Sequence, residues 1–72
     1  MLTRVSVGNA VRYYRKKKGI AQENLALMTK TSRSYMSKIE RGECAVSVEK
    51  ISEIAEALGV PVWEVLKRAA EL

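Results

Sequence analysis

Histidine is absent from the 72 residues, and cysteine occurs once, as Cys44. Without histidine the chain lacks the commonest general base and the commonest metal ligand. A single cysteine excludes an intrachain disulfide and any cysteine-cluster zinc site. Phosphate loops, Cys–His pairs and carboxylate constellations are missing too, so an enzyme has no support. No cofactor, metal or small-molecule effector is expected. No apolar run approaches the ~18 residues that a membrane span needs, and the N-terminus has no signal-peptide core. A cytoplasmic protein with no membrane partner is the expectation. No stretch alternates with period two, which leaves no candidate strand.

What is present is one small domain, expected over 1–72 with a core at about 7–66. Hydrophobic residues make up 47% of it, enough for a folded core. A domain of this size buries only roughly 60% of the surface its unfolded chain exposes, so association of two copies would help it. The formal charge of +5 is unevenly spread. Met1 to Gly42 hold ten basic and two acidic residues, whereas Glu43 to Leu72 hold three basic and six acidic. A first half of this kind faces a polyanion, either nucleic acid or an anionic membrane. The run Arg15-Lys16-Lys17-Lys18 alone reads equally well as a solvated helix face.

Glycine and serine divide the chain into five predicted helices. Val7, Val11 and Tyr14 recur at four and three, which predicts a helix from about Val7 to Lys18, capped by Ser6 and stopped by Gly19. A second runs from about Gln22 to Met28 with Leu25 and Ala26 inward. After a break at Thr29-Lys30-Thr31, Ser32 caps a third that ends at Arg41-Gly42. Met36 and Ile39 face inward there, while Arg33, Ser34, Tyr35 and Lys38 share the other side. Ser47 caps a fourth, with the stripe Val48, Ile51, Ile54, Ala55 and Leu58, and Gly59 stops it. Pro61 opens a fifth carrying Val62, Val65, Leu66 and Ala69. Met1 reads as the initiator, and Met28 and Met36 as core fillers. Two short helices with a tight turn, the second presenting Arg, Ser, Tyr and Lys, suit the DNA major groove. Helical hairpins also occur as plain structure.

The segments that carry a family resemblance cover about Val7 to Leu66. They are Val7-Gly8, Val11-Arg12, Tyr14-Arg15-Lys16 and Lys18-Gly19-Ile20 in the first helix, then Gln22-Glu23-Asn24-Leu25-Ala26. The most specific is Ser32-Arg33-Ser34-Tyr35-Met36-Ser37-Lys38-Ile39-Glu40-Arg41-Gly42, and Ile54-Ala55-Glu56-Ala57-Leu58-Gly59-Val60 completes the set. The chain resembles the Cro/repressor-type, or XRE-like, helix-turn-helix family. That resemblance implies an all-α, compact five-helix lambda-repressor-like DNA-binding domain, with the helix-turn-helix at helices two and three. It also implies operator binding, usually as a dimer. The small size and the Arg33-Ser34-Tyr35 start look most like controller proteins of restriction–modification systems. A small phage-type repressor and an antitoxin-like protein–protein interaction module are the alternatives, and a membrane-surface peptide is disfavoured because its apolar stripes are better used in folding.

By the same resemblance Gln22 contacts a phosphate and braces helix three, against the plain reading of an exposed helix start. Arg33, Ser34 and Lys38 match the family's base-reading positions, against a merely solvated face, and Ser32 is counted with the DNA contacts. Tyr35 meets a base edge, a thymine methyl or a phosphate, or packs beside helix two. Arg41 suits a phosphate or the helix dipole. Arg12 and Lys16 reach the flanking backbone or are simply solvated. Arg15 and Glu40 are expected to pair and link helix one to helix three. Cys44 reads as an inert loop thiol, with no resolving cysteine for a redox role. Three departures from the family stand out. Ala21 replaces the usual Ser or Thr cap, Lys30 replaces the turn glycine, and Pro61 with Trp63 replaces a polar opening of helix five. That helix offers Val62, Trp63, Val65, Leu66, Ala69 and Leu72, more apolar residues than so small a core covers. Trp63, Val62 and Leu66 are therefore the expected homodimer contact, the alternative being that Trp63 packs back on its own domain.

Overall fold

The computed structural model describes residues 1–71. They form α1 (Arg4–Lys17), α2 (Gln22–Met28), α3 (Arg33–Glu40), α4 (Val48–Leu58) and α5 (Val62–Glu71), with no strand among them. Leu72, counted above with the apolar residues of the fifth helix, lies outside the described residues. No helix among them is long and apolar enough to cross a membrane.

The helix starts follow from side-chain oxygens. Ser32 accepts from the amide of Tyr35, and Ser47 from that of Lys50, both at 3.0 Å. Ala21 offers no such bond at the start of α2. The first helix begins three residues earlier than the sequence predicts. Thr3 accepts from the Ser6 amide at 3.0 Å while the Ser6 hydroxyl accepts from the Thr3 amide at 2.9 Å. Ser6 is thus the inner partner of a capping box, not the cap. Two orphan donors satisfied reciprocally outweigh the single bond that a Ser6 cap provides.

The first four helices all close by the same paired bonds. In α1 the Gly19 amide reaches Lys16 O and that of Ile20 reaches Arg15 O; in α3 Gly42 reaches Ile39 O and Glu43 reaches Lys38 O. Gly59 and Val60 repeat this for α4, and Lys30 and Thr31 for α2. The residue that turns the chain needs a positive φ, natural for glycine, yet Lys30 adopts φ 53°. A left-handed lysine costs about 1 kcal/mol. The turn is held regardless by Thr29, buried with its hydroxyl donating to Leu25 O at 2.9 Å, and by Lys50 from α4, whose ammonium donates to Thr29 O at 3.1 Å.

Around α1 the other helices assemble one core. It comprises Ala10, Val11 and Tyr14 from α1, Leu25 and Ala26 from α2, and Met36 and Ile39 from α3. Ile51, Ile54, Ala55 and Leu58 from α4 and Val65 and Ala69 from α5 complete it. Two residues expected inside are exposed. Met28 stands off the α2 stripe, because the next position on the Leu25–Ala26 line is Thr29, and Thr29 is buried in its place. Val48 is the first residue of α4, at the tip of the apolar stripe, and is exposed there. Between α1 and α5 the Arg68 guanidinium stacks 3.3 Å from the Tyr13 ring centroid, and Tyr14 meets Tyr13 edge-on. The Arg68 Nε, buried without a hydrogen bond, is covered by that ring face.

At Gly8 the backbone of α1 lies against that of α3. A Cβ there would collide with the carbonyl oxygen of Ile39 and come within 2.8 Å of that of Glu40. In an ordinary helix interior Gly→Ala stabilises by about 0.5–1 kcal/mol. Gly8→Ala is expected to do the reverse, destabilising by about 2–3 kcal/mol as the two helices are pushed apart. Thermal or urea unfolding reads the sign directly, and a stabilised variant would show that α1 and α3 are not in backbone contact.

Candidate nucleic-acid interface

Four residues lock α3 against the helices behind it. The Arg15 guanidinium on α1 donates through Nε to Glu40 Oε2 at 2.7 Å and through Nη2 to Oε1 at 3.0 Å. Its third nitrogen, Nη1, donates to Ile20 O at 2.9 Å in the loop before α2. Gln22, the first residue of α2, donates its amide to Glu40 Oε1 at 3.2 Å. One carboxylate at the end of α3 therefore gathers α1, the α1–α2 loop and α2. Arg15 and Glu40 retain only 12% and 4% exposure, so the charges are largely withdrawn from water. Such a pair is tolerable only when its donors and lone pairs are met, as they are here.

With Met36, Ile39 and Glu40 turned inward, the other side of α3 is left to solvent. Arg33, Ser34, Tyr35 and Lys38 occupy it, with Ser32 exposed at its start. Arg41 caps the far end of α3. Its Nε donates to Glu43 Oε2 at 2.8 Å, its Nη2 to Glu43 Oε1 at 3.1 Å, and its Nη1 to the Ser37 hydroxyl. These bonds hold the Glu43 carboxyl below the ordinary carboxylate range and raise the Arg41 guanidinium. The neighbouring charge of Lys38 lowers Glu43 further. Arg12 and Lys16, one turn apart on α1, are exposed, and neither makes a side-chain hydrogen bond among the described residues.

Residues 11–62, which span α2, the turn and α3 with their supports, match the family model described as Helix-turn-helix. The chain belongs to the XRE-like helix-turn-helix family. Its relatives in sequence include the control protein C.BamHI of Bacillus amyloliquefaciens, 41% identical over 64 residues that cover 88% of this chain and 79% of that protein. The HTH-type transcriptional regulator SlrR of Bacillus subtilis is 39% identical over 59 residues. That match covers 81% of this chain but only 39% of SlrR, so the chain spans well under half of that regulator. In structure the chain resembles the clp gene regulator ClgR of Corynebacterium glutamicum, with a TM-score of 0.95 and 38% identity over 99% of this chain and 76% of that one. It also resembles the restriction-modification controller protein C.AhdI of Aeromonas hydrophila, with a TM-score of 0.83 and 37% identity, covering 86% and 94% of the two chains. These relatives are regulators and controllers, not enzymes. The all-α five-helix architecture with α2 and α3 as the helix-turn-helix agrees with the sequence reading.

Some features of this helix-turn-helix were not found from the sequence. Glu43 beside Arg41 was readable as a short-range charge pair but was not singled out. Lys50 carries no local signal, since its partner Thr29 lies 21 residues away. The stacking of Arg68 on Tyr13 joins residues 55 apart and is equally silent.

Because Glu40 is almost fully enclosed, removing Arg15 strands a charge. Arg15→Ala is expected to destabilise the fold by about 3 kcal/mol. In a double-mutant cycle with Glu40→Ala, the combined loss should fall well short of the sum of the single losses. Additive losses in thermal melts would mean that the two side chains do not act on each other.

Proposed function

We propose that this regulator binds double-stranded DNA sequence-specifically, as a homodimer on an inverted-repeat operator, in the role of a restriction–modification controller in the cytoplasm. The observation that carries the reading is the division of α3 into two faces. One face is clamped through Met36, Ile39 and Glu40, and the other offers Arg33, Ser34, Tyr35 and Lys38. An exposed helix face of this kind fits the major groove, where an arginine forks onto guanine and hydroxyls meet base edges. In this reading Arg33, Ser34 and Lys38 read bases, and Tyr35 adds a base or phosphate contact. Gln22, Ser32 and Arg41 hold phosphates, while Arg12 and Lys16 meet the flanking backbone. Affinity comes mainly from lysine and arginine at phosphates, and sequence preference from α3. The controller role draws on the similarity to C.BamHI and C.AhdI. A methyltransferase gene and an endonuclease gene beside the one for this chain would support it.

The dimer reading draws on α5 and its surroundings. Trp63 is 61% exposed and does not fold back on its own domain. Val62 and Leu66, half-buried, line an apolar groove of about 280 Å³ with Leu2, Val7, Val46, Val48 and Ile51. A second copy related by two-fold symmetry would bury this surface and set two α3 helices in successive major grooves about 34 Å apart.

Two outcomes are expected. On an operator recovered by selection from random duplexes, Arg33→Ala weakens binding by roughly 1–3 kcal/mol and relaxes preference at one base pair per half-site. Equal losses on matched and mismatched duplexes would demote Arg33 to a phosphate contact. In sedimentation at micromolar concentration the chain runs as a dimer, and Trp63→Ala shifts it toward monomer. A wild-type chain that stays monomeric there would remove both the interface and the two-fold operator.

A further inference from the structure

At the exposed end of α3 one side chain has no place in a surface built to meet polyanions. Glu43 carries a negative charge beside Arg41 and Lys38, and its carboxylate receives both parallel N–H bonds of the Arg41 fork, at 2.8 and 3.1 Å. That two-point arrangement is the one an arginine makes with a phosphate. The Ser37 hydroxyl takes the remaining guanidinium nitrogen, so all three nitrogens of Arg41 are engaged.

The position of Glu43 is set by the backbone. Its amide donates to Lys38 O at 2.9 Å, and the Gly42 amide donates to Ile39 O at 3.1 Å. Gly42 supplies the left-handed residue between them, with φ 72°. This paired closure holds the residue after the glycine against the helix end, a place that ordinarily takes an apolar side chain. In α1 and α4 the equivalent residues are Ile20 and Val60, and both pack on the core. In α3 the same place holds an exposed carboxylate directed at the one arginine at that end of the helix. Hydrogen bonding from Arg41 holds this carboxyl below its ordinary range.

We propose that Glu43 is a built-in stand-in for a DNA phosphate, which occupies Arg41 in the free protein and so limits how tightly the chain holds any duplex. The inference rests on the reading of Arg41 as a phosphate contact. For Arg41 to reach DNA it exchanges Glu43 for a phosphate, and the free energy of the lost pair is subtracted from binding. Phosphate contacts carry no sequence information, so the subtraction is the same for operator and non-operator DNA. Both side chains are about half exposed, at 54% and 51%, so the pair is weak and the effect is a matter of a few-fold.

The test measures wild type, Glu43→Gln, Arg41→Ala and the double variant on a mixed-sequence duplex and on the selected operator, over a range of salt. Circular dichroism first shows that all four fold, as expected for exposed positions outside the core. Glu43→Gln is expected to tighten binding about two- to fivefold on both duplexes. It should also steepen the salt dependence by about one ion. In the Arg41→Ala background the same change should leave affinity nearly unaltered. An equal gain in that background would mean plain repulsion between Glu43 and DNA, and weaker binding by Glu43→Gln would mean that the carboxylate presents Arg41 to the duplex. Either result overturns the proposal. Wild type that binds while Glu43→Gln binds identically removes this inference alone, whereas wild type that binds no duplex removes the DNA reading and the inference together.

Discussion

The Glu40 carboxylate is the point on which the helix-turn-helix depends. It stands at the last residue of α3 and takes bonds from Arg15 on α1 and Gln22 on α2, while Arg15 also ties the loop between those helices through Ile20. A helix of eight residues such as α3 cannot be stable by itself, since helices shorter than about twelve residues are marginal in water. Its geometry therefore has to come from neighbours. Met36 and Ile39 supply apolar area, which is non-directional, whereas the forked Arg15–Glu40 pair and the Gln22 bond fix rotation about the helix axis. Rotation would matter to the proposed DNA contact, because turning α3 by one residue presents a different set of side chains.

The approach of α1 to α3 is possible because Gly8 has no side chain. Its neighbours there are carbonyl oxygens of Ile39 and Glu40, so the contact is backbone to backbone. Close approach in turn brings Arg15, two turns along α1, within bidentate reach of Glu40. The glycine and the ion pair are thus two parts of one arrangement. Behind it, the Arg68–Tyr13 stack joins α5 to α1, so the half of the chain proposed for dimer contact packs against the half proposed for DNA.

The two termini of α2 illustrate how a locally weak element is sustained by tertiary bonds. Its start has no side-chain cap and its end turns on a left-handed lysine. Each defect removes about 1 kcal/mol from a seven-residue helix. Gln22 bound to Glu40 secures the first end, and Thr29 with Lys50 secures the second. The turn of the motif is therefore stable only within the folded domain.

What the sequence determined by itself was the set of helices, their order and their inward faces. Apolar spacing of three and four and the caps Ser32 and Ser47 are local signals, and so are the glycines at 19, 42 and 59. Such signals act within a turn or two of the chain. They also placed Arg33, Ser34 and Lys38 outward, because Met36 and Ile39 must face in. Local signals failed where two local solutions competed, as with Ser6 against the Thr3–Ser6 box. They failed again where depth, not periodicity, decides burial, as with Val48 at the helix tip and Met28 beside Thr29. Only the tertiary structure decided some of the long-range polar contacts. Lys50 finds Thr29, and Arg68 finds Tyr13. A long polar side chain can reach in many directions from its own helix, and the direction it takes is set by where packing of the apolar faces leaves a partner.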